Sequence, residues 1–421
     1  MYLFLAIFFS TLPFLWLFTQ VSIMGSFTAA FANIAGLVGV VLMMWQIILG
    51  NRFIVRNLTR DYVSMIKLHI FLGIYSLFLV LAHPFLEMIS YGKTFTFLLI
   101  PDLSSELGSH VALGIVAIYL YLFVWLSSAL TRDKISYRIW RYLHYLAYPM
   151  LFFAFIHAVE IGTFLSSFIL LKAYFIILMV GFAAAVLYRF SQLLDVGKFP
   201  YVLSSKKQSS TGVTAYTFRP MAISLTPKIG QFFFIKPSVF AESHPFTVMN
   251  FVEESGELTF GIKAVGKFTN QLEGISVGQT VFLDGPYGVF TSEAHNNKPK
   301  VIIAGGIGIT PFVELVSRFG DQNTKLFYAN KYLKEAVSRE QFKAQLGANY
   351  FDVISREEIK TETVIQGRLN EQVFTQNLTA DFIKQANFFI CGSPGFMGGV
   401  LMSLHKLGID KKRIFTEEFS F

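Results

Sequence analysis

Residues 141–160 read RYLHYLAYPMLFFAFIHAVE, and this stretch decides how the N-terminal half of the chain is interpreted. It is apolar and long enough to cross a bilayer. It nevertheless contains two histidines, His144 and His157, which are 13 residues apart. Ionisable side chains inside a membrane span are costly and usually serve a function. The two imidazoles are therefore the first candidates for a functional site.

The distribution of charge divides the chain into two halves. Residues 1–190 contain only 17 of the 62 charged residues in a chain of 421. Apolar runs of spanning length lie at roughly 2–24, 27–50, 62–89, 109–130, 140–160 and 164–188. The sequence therefore predicts an all-α bundle of six transmembrane helices over residues 1–190, followed by a soluble half.

Basic residues concentrate in two of the loops between the predicted spans. They are Arg52, Arg56 and Arg60 in the first loop and Arg132, Lys134, Arg138 and Arg141 in the second. By the positive-inside rule these loops are cytoplasmic, and so are both termini. We expect an integral protein of the plasma (cytoplasmic) membrane, and no cleavable signal is evident because the first basic residue is Arg52.

Charge and cysteine usage exclude several functional classes. The net charge of +8 comes without a basic arm or patch, so it favours loop anchoring in a membrane over nucleic-acid binding. The single cysteine, Cys391, excludes an intramolecular disulfide and a four-cysteine iron–sulfur cluster.

The third predicted helix also carries two histidines, His69 and His83. It runs in the same direction as the fifth, and each pair is separated by about 20 Å along its helix. Two helices with imidazoles at two matching depths can hold two haems, each ligated on both faces. A spacing of 13 suits one helix face poorly, so we expect Pro149 to kink or rewind the fifth helix. The alternative for any single histidine is a hydrogen-bonded contact between helices.

The histidine pattern, with the preceding Arg141, resembles the ferric reductase and NADPH oxidase family of transmembrane flavocytochromes b. The sequence HPFT at residues 244–247 and the compact architecture resemble the bacterial NADPH oxidases most closely. The resemblance implies that His69 and His144 ligate the iron of an inner b-type haem, and that His83 and His157 ligate an outer one. His110 has no depth-matched partner and is left out of the ligand set.

Residues 198–295 contain short β-runs separated by Gly, Pro and Ser, which predicts a small antiparallel barrel. The motifs His244-Pro245-Phe246-Thr247 and Gly266-Lys267-Phe268-Thr269, with Lys263 between them, resemble the flavin-binding motifs of ferredoxin-reductase-like proteins. The resemblance implies FAD. Thr247 would bond the isoalloxazine ring, His244 and Phe246 would pack, and Lys263, Gly266 and Thr269 would meet the diphosphate.

Residues 296–421 alternate strand and helix, which predicts a parallel α/β domain. Gly305-Gly306-Ile307-Gly308-Ile309-Thr310-Pro311 lies where a strand turns into a helix, and such glycines let a backbone approach a diphosphate. As a bare pattern it also suits an ordinary strand–turn–helix junction. It resembles the nicotinamide-nucleotide loop of the family.

The remaining assignments rest on the resemblance. It implies that Cys391 and Gly392 lie near the position of hydride transfer, and that Phe419 covers the flavin, with Phe421 as the second choice. Lys331 and Arg368 lie where the family tends to hold a 2′-phosphate, so we expect NADPH, with NADH possible.

The predicted route runs from NADPH through FAD and two haems to an acceptor on the outer face. Molecular oxygen, giving superoxide, is expected, and a ferric chelate is the alternative acceptor. Four polar residues are expected near the outer haem, where they form either an acceptor or proton-supply site or an ordinary interface: Glu87, His110, Glu160 and Lys172. Other readings are an electron donor to an extracytoplasmic partner protein, or a transporter or channel with a redox-sensing domain. No obligatory protein partner is evident from the sequence.

Overall fold

The computed structural model describes residues 2–238, 241–359 and 364–418. The chain forms two compact units, residues 1–191 and residues 192–421. The first unit is all-α. The second contains a β-barrel and an α/β sheet, each with its own buried hydrophobic cluster.

Six helices in the described part of the chain are long and apolar enough to cross a membrane, as predicted. They are Tyr2–Ile23, Phe27–Leu49, Tyr62–Ser90, Glu106–Ala129, Tyr137–Ile161 and Ile169–Gln192. The helical segments of this unit are α1 Tyr2–Leu15, α2 Val21–Met24, α3 Phe27–Leu49, α4 Arg52–Leu58, α5 Tyr62–Ser90, α6 Thr96–Leu99, α7 Glu106–Ala129, α8 Tyr137–His144, α9 Ala147–Ile161, α10 Thr163–Ser167 and α11 Ile169–Leu193.

Local sequence explains where the long helices begin. Ser26, Asp61, Ser105 and Ser136 each precede a helix, and each side chain accepts a hydrogen bond from the backbone N–H three residues on. Such caps satisfy one of the free N–H groups of the first turn. The last span begins at Ile169 rather than near residue 164, because Phe168 is extended and separates it from α10.

The fifth span is interrupted between His144 and Ala147, one turn before Pro149. Proline has no N–H, so the carbonyl of Tyr145 lacks its usual partner four residues on, and Tyr148 N donates to it instead at 3.1 Å. The predicted rewinding is therefore present. It places His144 and His157 on two helical segments, which removes the mismatch of their spacing with a single helix.

The barrel is closed and antiparallel, with strand order β1-β2-β5-β4-β3-β6. Its strands are β1 Phe199–Ser210, β2 Val213–Pro220, β3 Phe232–Lys236, β4 His244–Val252, β5 Glu257–Lys263 and β6 Thr280–Tyr287, with α12 Lys267–Glu273 between β5 and β6. Large apolar side chains fill its interior, among them Tyr201, Phe218 and Phe260. The predicted antiparallel barrel is confirmed.

The α/β sheet is parallel, with strand order β10-β9-β8-β7-β11-β12. Its strands are β7 Lys300–Gly305, β8 Thr324–Asn330, β9 Tyr350–Ile354, β10 Val364–Gln366, β11 Asn387–Gly392 and β12 Ile414–Glu418. Its helices are α13 Thr310–Phe319, α14 Arg339–Leu346, α15 Glu371–Asn377, α16 Ala380–Gln385 and α17 Pro394–Lys406. The strand order reverses between β7 and β11, and ligands of open α/β sheets bind at such a switch point, outside the carboxyl ends of the strands.

Candidate functional site

The four membrane histidines form two facing pairs inside the helical unit. The ring centroids of His69 and His144 lie 5.9 Å apart, with the ring planes at 64°. Those of His83 and His157 lie 6.1 Å apart, with the planes at 75°. The structure thus brings α5 together with the α8–α9 span at two levels, in the pairing that the family resemblance implies.

Three of the four rings are oriented by backbone carbonyls on neighbouring helices. The Nδ1-to-oxygen distances are 3.0 Å from His69 to Gln46 O, 2.9 Å from His83 to Ala32 O and 2.9 Å from His157 to His110 O. A carbonyl can only accept, so Nδ1 carries the proton in each ring. Nε2 is left with its lone pair, which is the form that a metal ligand needs. His110 thus contributes its backbone carbonyl to the contact with His157.

A glycine follows each of these carbonyls at the fourth position along the helix. The glycines are Gly36, Gly50 and Gly114, and sequence reasoning missed them. A Cβ at Gly114 would lie 2.6 Å from the His157 ring, and one at Gly36 would lie 2.9 Å from the His83 ring. At Gly50 the nearest atom of the His69 ring would be at 3.4 Å. The glycines therefore leave the space in which the rings lie against the helices.

His144 is held differently, by side chains. Its Nδ1 lies 3.1 Å from Ser128 Oγ, which also accepts from the indole N–H of Trp140 at 3.2 Å. Trp140 stacks on the His144 ring with centroids 4.9 Å apart, and the Arg132 guanidinium lies 4.7 Å from the indole ring centroid. His144 is thus the one ligand candidate whose Nδ1 bond is made to a side chain.

The residues present fit haem. Two imidazoles that each hold one metal atom through a ring nitrogen at about 2 Å place their ring centroids about 6 Å apart, close to the separations of both pairs. Within residues 2–238, 241–359 and 364–418, no group of three or more His, Cys, Asp or Glu side chains is placed to hold a metal ion. Haem iron needs only two protein ligands, because the porphyrin supplies the others.

Two of the four polar residues expected near the outer pair lie beside it. Glu87 Oε1 accepts from Asn33 Nδ2 at 2.7 Å and lies 3.9 Å from His83 Nδ1. The carbonyl of His110 holds His157. The side chains of Glu160 and Lys172 make no hydrogen bond or ion pair with any residue that the structure describes.

In the barrel, the motif at residues 244–247 contacts the motif at residues 266–269 through aromatic rings. His244 at the start of β4 stacks on Phe268 with centroids 4.1 Å apart, and Phe246 lies 5.9 Å from the same ring. Pro245 pairs with Phe234 on β3. Phe268, the second residue of α12, was not predicted as a site residue. These contacts bring the beginning of β4 to the N-terminal end of α12.

Thr247 is the barrel residue that best fits a flavin. It is 3% exposed, and its Oγ1 has no hydrogen-bond partner among the described residues. A buried hydroxyl without a partner is costly, so it indicates a group that the protein alone does not provide. A flavin ring edge offers both donors and acceptors to such a hydroxyl.

The residues predicted to meet the diphosphate are placed near the N-terminus of α12. Thr269 Oγ1 accepts from the N–H groups of Val265 and Gly266, so it caps the helix. A Cβ at Gly266 would meet no atom within 4 Å, so the backbone there is open to a ligand. Lys263 Nζ lies 3.5 Å from Glu335 Oε2, a residue of the α/β part that sequence reasoning missed.

The two predicted nucleotide loops contact each other at the switch point. A Cβ at Gly308 would lie 2.3 Å from Cys391 O, and Cβ atoms at Gly305 and Gly392 would both meet the Phe396 ring. Gly306 has φ +54°, a conformation that favours glycine, and no atom lies within 4 Å of its Cβ position. Thr310 and Pro311 begin α13, so the loop ends at a helix N-terminus, where a diphosphate is stabilised.

Cys391 is fully buried beside Glu417, with which it pairs across β11 and β12. Burial raises the pKa of the Cys391 thiol well above its usual range, and the Glu417 charge raises it further, so the thiol stays protonated. Burial raises the pKa of Glu417 to about 8. Its Oε2 has no partner in the described part of the chain. Sequence reasoning missed Glu417 because acidic residues near a chain end are usually solvated. Phe419 and Phe421 lie outside the described residues.

Three exposed cations follow three adjacent parallel strands. Lys331 comes after β8, Arg356 after β9 and Arg368 after β10. Arg356 N donates to Lys331 O at 3.0 Å, which brings their backbones together. Arg356 was missed, because strand order cannot be deduced from spacing. The three lie at the same edge as the glycine loop.

Three family models match the chain in succession. They are described as the ferric reductase like transmembrane component at residues 35–155, the oxidoreductase FAD-binding domain at 200–291 and the oxidoreductase NAD-binding domain at 302–401. The matches cover parts of the helical unit, of the barrel and of the α/β sheet.

Curated proteins match only part of this chain. NADH-cytochrome b5 reductase 2 of Meyerozyma guilliermondii is 27% identical over 198 residues, covering 41% of this chain and 66% of that protein. A flavohemoprotein of Rhodopirellula baltica is 31% identical over 165 residues, covering 37% and 40%. The chain thus spans less than two thirds of each. The crystal structure of the flavohem-like FAD/NAD-binding domain of a Vibrio cholerae nitric oxide dioxygenase is 24% identical, with a TM-score of 0.46, covering 52% of this chain and 98% of that one.

Proposed function

We propose that this chain, which has the domain architecture of the ferric reductase and NADPH oxidase superfamily, moves electrons across a membrane from a reduced nicotinamide nucleotide to an acceptor on the opposite face. FAD and two b-type haems are the proposed carriers. FAD converts a two-electron hydride into single electrons, and each haem iron carries one electron at a time.

The observation that carries the proposal is the common state of the four histidines. Each has its Nδ1 in a hydrogen bond and faces another imidazole about 6 Å away. A ring that ligates iron through Nε2 must carry its proton on Nδ1, and a hydrogen bond at Nδ1 favours that form. His69 and His144 would hold the inner haem, and His83 and His157 the outer one.

In the second unit, few charged side chains would bind and orient FAD and the nicotinamide nucleotide. Thr247 would bond the flavin ring, and the α12 N-terminus with Lys263 would hold the diphosphate. The loop at Gly305–Gly308 would hold the nucleotide diphosphate. Cys391 would present a neutral thiol beside the reacting rings, and Glu417 would accept or donate a hydrogen bond there.

NADPH is the proposed nucleotide because three cations converge at the carboxyl ends of β8, β9 and β10. Arg356→Ala should lower kcat/KM for NADPH by roughly tenfold, the usual worth of a charge-assisted hydrogen bond, and leave NADH unchanged. Lys298→Ala, at an exposed lysine before β7, is the matched control. A preference of the parent chain for NADH, as the name of one relative suggests for that protein, would contradict the assignment.

Molecular oxygen, giving superoxide, is the proposed acceptor, and a ferric chelate is the second candidate because the membrane family model bears that name. The two acceptors are distinguished by measuring cytochrome c reduction with and without superoxide dismutase. If oxygen is the acceptor, superoxide dismutase suppresses the reduction. Reduction that superoxide dismutase does not suppress, together with fast turnover of a ferric chelate, would favour the second.

The test of the proposal is an anaerobic optical spectrum of the purified, haem-supplemented chain before and after NADPH is added. Flavin bleaching followed by the bands of reduced b-type haem is the expected result. Flavin reduction without any haem signal would show that the four histidines are structural.

A further inference from the structure

The connection between α5 and α7 has an unusual surface. Over residues 91–105 only Lys93 and Asp102 are charged. Apart from Lys93, its exposed large side chains are apolar or aromatic: Tyr91, Phe95, Leu99, Ile100 and Leu103. An exposed apolar patch on a loop normally marks a contact surface.

Tyr119, in the middle of α7, holds the part of this connection that lies farthest along the helix from its N-terminal end. The Tyr119 hydroxyl donates to Leu99 O at 2.9 Å and lies 3.3 Å from Leu98 O. Tyr119 lies 13 residues beyond Glu106, so its Cα is about 20 Å along the axis from the start of the helix. Its side chain reaches about 6 Å back towards that start. Allowing about 3 Å for the hydrogen bond, the carbonyl oxygens of Leu98 and Leu99 therefore lie at least about 10 Å from the N-terminal end of α7 along its axis.

The chain then climbs back along the same helix. Ile100 is extended. The carbonyl of Asp102 packs against the first turn, 2.4 Å from the position of a Cβ on Gly108. On the other side, Phe95 stacks on Phe85 of α5 with ring centroids 6.3 Å apart. The connection therefore runs inwards along the two spans α5 and α7 and then returns, and its charged residues lie near the ends of those spans.

We propose that residues 94–101 form a re-entrant segment whose apolar face contacts lipid acyl chains, in the leaflet opposite the basic loops. A hydrocarbon core is about 30 Å thick, so a segment at least about 10 Å from the helix end lies inside it. Irregular backbone at that depth needs internal partners, and the Tyr119 hydroxyl supplies one to the carbonyls at the tip. The same bond satisfies a hydroxyl that would otherwise face hydrocarbon.

Lipid is the occupant because the segment continues a lipid-facing surface. Between its first and last turns, the exposed side chains of α7 recur at helical spacing in a single stripe: Val116, Tyr119, Phe123 and Leu126. Tyr119 belongs to that stripe, so the segment bound to it faces the same acyl chains. This inference does not depend on haem or on the direction of electron flow.

Spin labels at engineered cysteines test the proposal, because the parent chain has one cysteine and Cys391 is fully buried. Leu99→Cys reports on the tip, Ser104→Cys on the surface turn and Leu126→Cys on the lipid-facing stripe. Each labelled full-length chain is reconstituted in phosphatidylcholine–phosphatidylglycerol vesicles. Collision rates are then measured with oxygen, which partitions into lipid, and with a water-soluble nickel chelate.

The expected result is an oxygen-to-nickel ratio at residue 99 that matches residue 126 and exceeds that at residue 104 several-fold. A ratio at 99 equal to that at 104 would place the segment in water and overturn the proposal. A label at 99 that is immobile and reached by neither reagent would show protein cover, by a second copy or a partner, and would also overturn it. Ile100→Cys repeats the measurement if Leu99→Cys does not fold.

A second comparison tests the tether. In the Leu99→Cys chain, Tyr119→Phe should move the ratio at residue 99 towards the surface value. Tyr75→Phe, at an exposed tyrosine of α5, removes a hydroxyl from the same kind of surface and should change nothing. An unchanged ratio after Tyr119→Phe would overturn the tether.

Discussion

Gly114→Ala should remove the outer haem and leave the inner one in place. Alanine is preferred over glycine in a helix by about 1 kcal/mol, so the change should favour α7 itself. The added methyl group, however, would lie 2.6 Å from two atoms of the His157 ring. Any loss therefore comes from the histidine and not from the helix.

The size of the effect follows from the distances. Ordinary contact with a Cβ begins at 3.4 Å, so the ring must retreat by about 0.8 Å. The hydrogen bond from His157 Nδ1 to His110 O would lengthen from 2.9 Å to about 3.7 Å, beyond hydrogen-bond range. Overpacking costs about 1–3 kcal/mol and the lost bond about 1 kcal/mol more, so outer-haem retention should fall roughly 30- to 700-fold.

Neighbouring glycines provide a graded series. Gly36→Ala demands a retreat of about 0.5 Å from His83 and should weaken the same haem less. A Cβ at Gly50 would lie 3.1 Å from Gln46 O and an ordinary 3.4 Å from the His69 ring, so Gly50→Ala should disturb the inner haem least of the three. Gly181→Ala, whose Cβ would meet only the flexible end of Met44 at 3.5 Å, is the control.

The assay is haem per chain by pyridine haemochrome, combined with reduced-minus-oxidised spectra. The expected content is two haems in the parent and in Gly181→Ala, and one in Gly114→Ala. Two haems with unchanged midpoint potentials in Gly114→Ala would refute the packing argument. A parent chain without haem would instead refute the proposed function.

Three further predictions concern hydrogen bonds and charge. Ser128→Ala removes the hydroxyl beside Nδ1 of His144, the proposed inner ligand. With Nε2 on iron, that Nδ1 carries the proton and donates to Ser128, so losing the acceptor should raise the inner-haem midpoint potential by about 30–60 mV. Trp140→Phe removes a competing donor to Ser128 and should lower the potential; spectroelectrochemical titration measures both shifts, and shifts of the same sign would contradict this reasoning. Thr247→Val should weaken FAD binding roughly fivefold to tenfold in a fluorescence titration, while Thr259→Val, at a hydroxyl that already has a partner, should not. Burial raises the folded-state pKa of Glu417 to about 8, so this carboxyl binds a proton more tightly in the folded chain than in the unfolded chain. The free energy of unfolding should therefore fall by about 2–4 kcal/mol as pH rises from 5 to 8. In thermal unfolding, Glu417→Gln should reduce this dependence of stability on pH, and an unchanged dependence would exclude Glu417 as its source.

Much of the architecture could be predicted because its signals are local. A membrane span is a run of apolar residues, and a strand or a glycine loop is a short pattern, so each is present in a few consecutive positions. The interruption of the fifth span was foreseeable for the same reason, because Pro149 removes a hydrogen bond one turn away. The start of α11 was not, because Phe168 is as apolar as its neighbours.

The missed residues share a different property. Gly36, Gly50 and Gly114 matter because of rings on other helices, and their role depends on the faces that the helices present to one another. Ser128, Glu417 and Arg356 likewise act through partners that are distant in sequence or on adjacent strands. Nothing at those positions distinguishes them in sequence from ordinary serine, glutamate and arginine.

The sequence by itself therefore determined the spans, the barrel and the α/β order, together with the histidines that are available as ligands. Only the tertiary structure decided which nitrogen is free in His69, His83 and His157, because that depends on a carbonyl placed by another helix. It also decided that residues 94–101 turn back along α7, since the Tyr119 bond joins positions 20 residues apart. The transfer of apolar side chains from water into a membrane or a protein core is favourable for each segment on its own. Hydrogen bonds and close packing between helices form only when the folded chain brings those segments into contact.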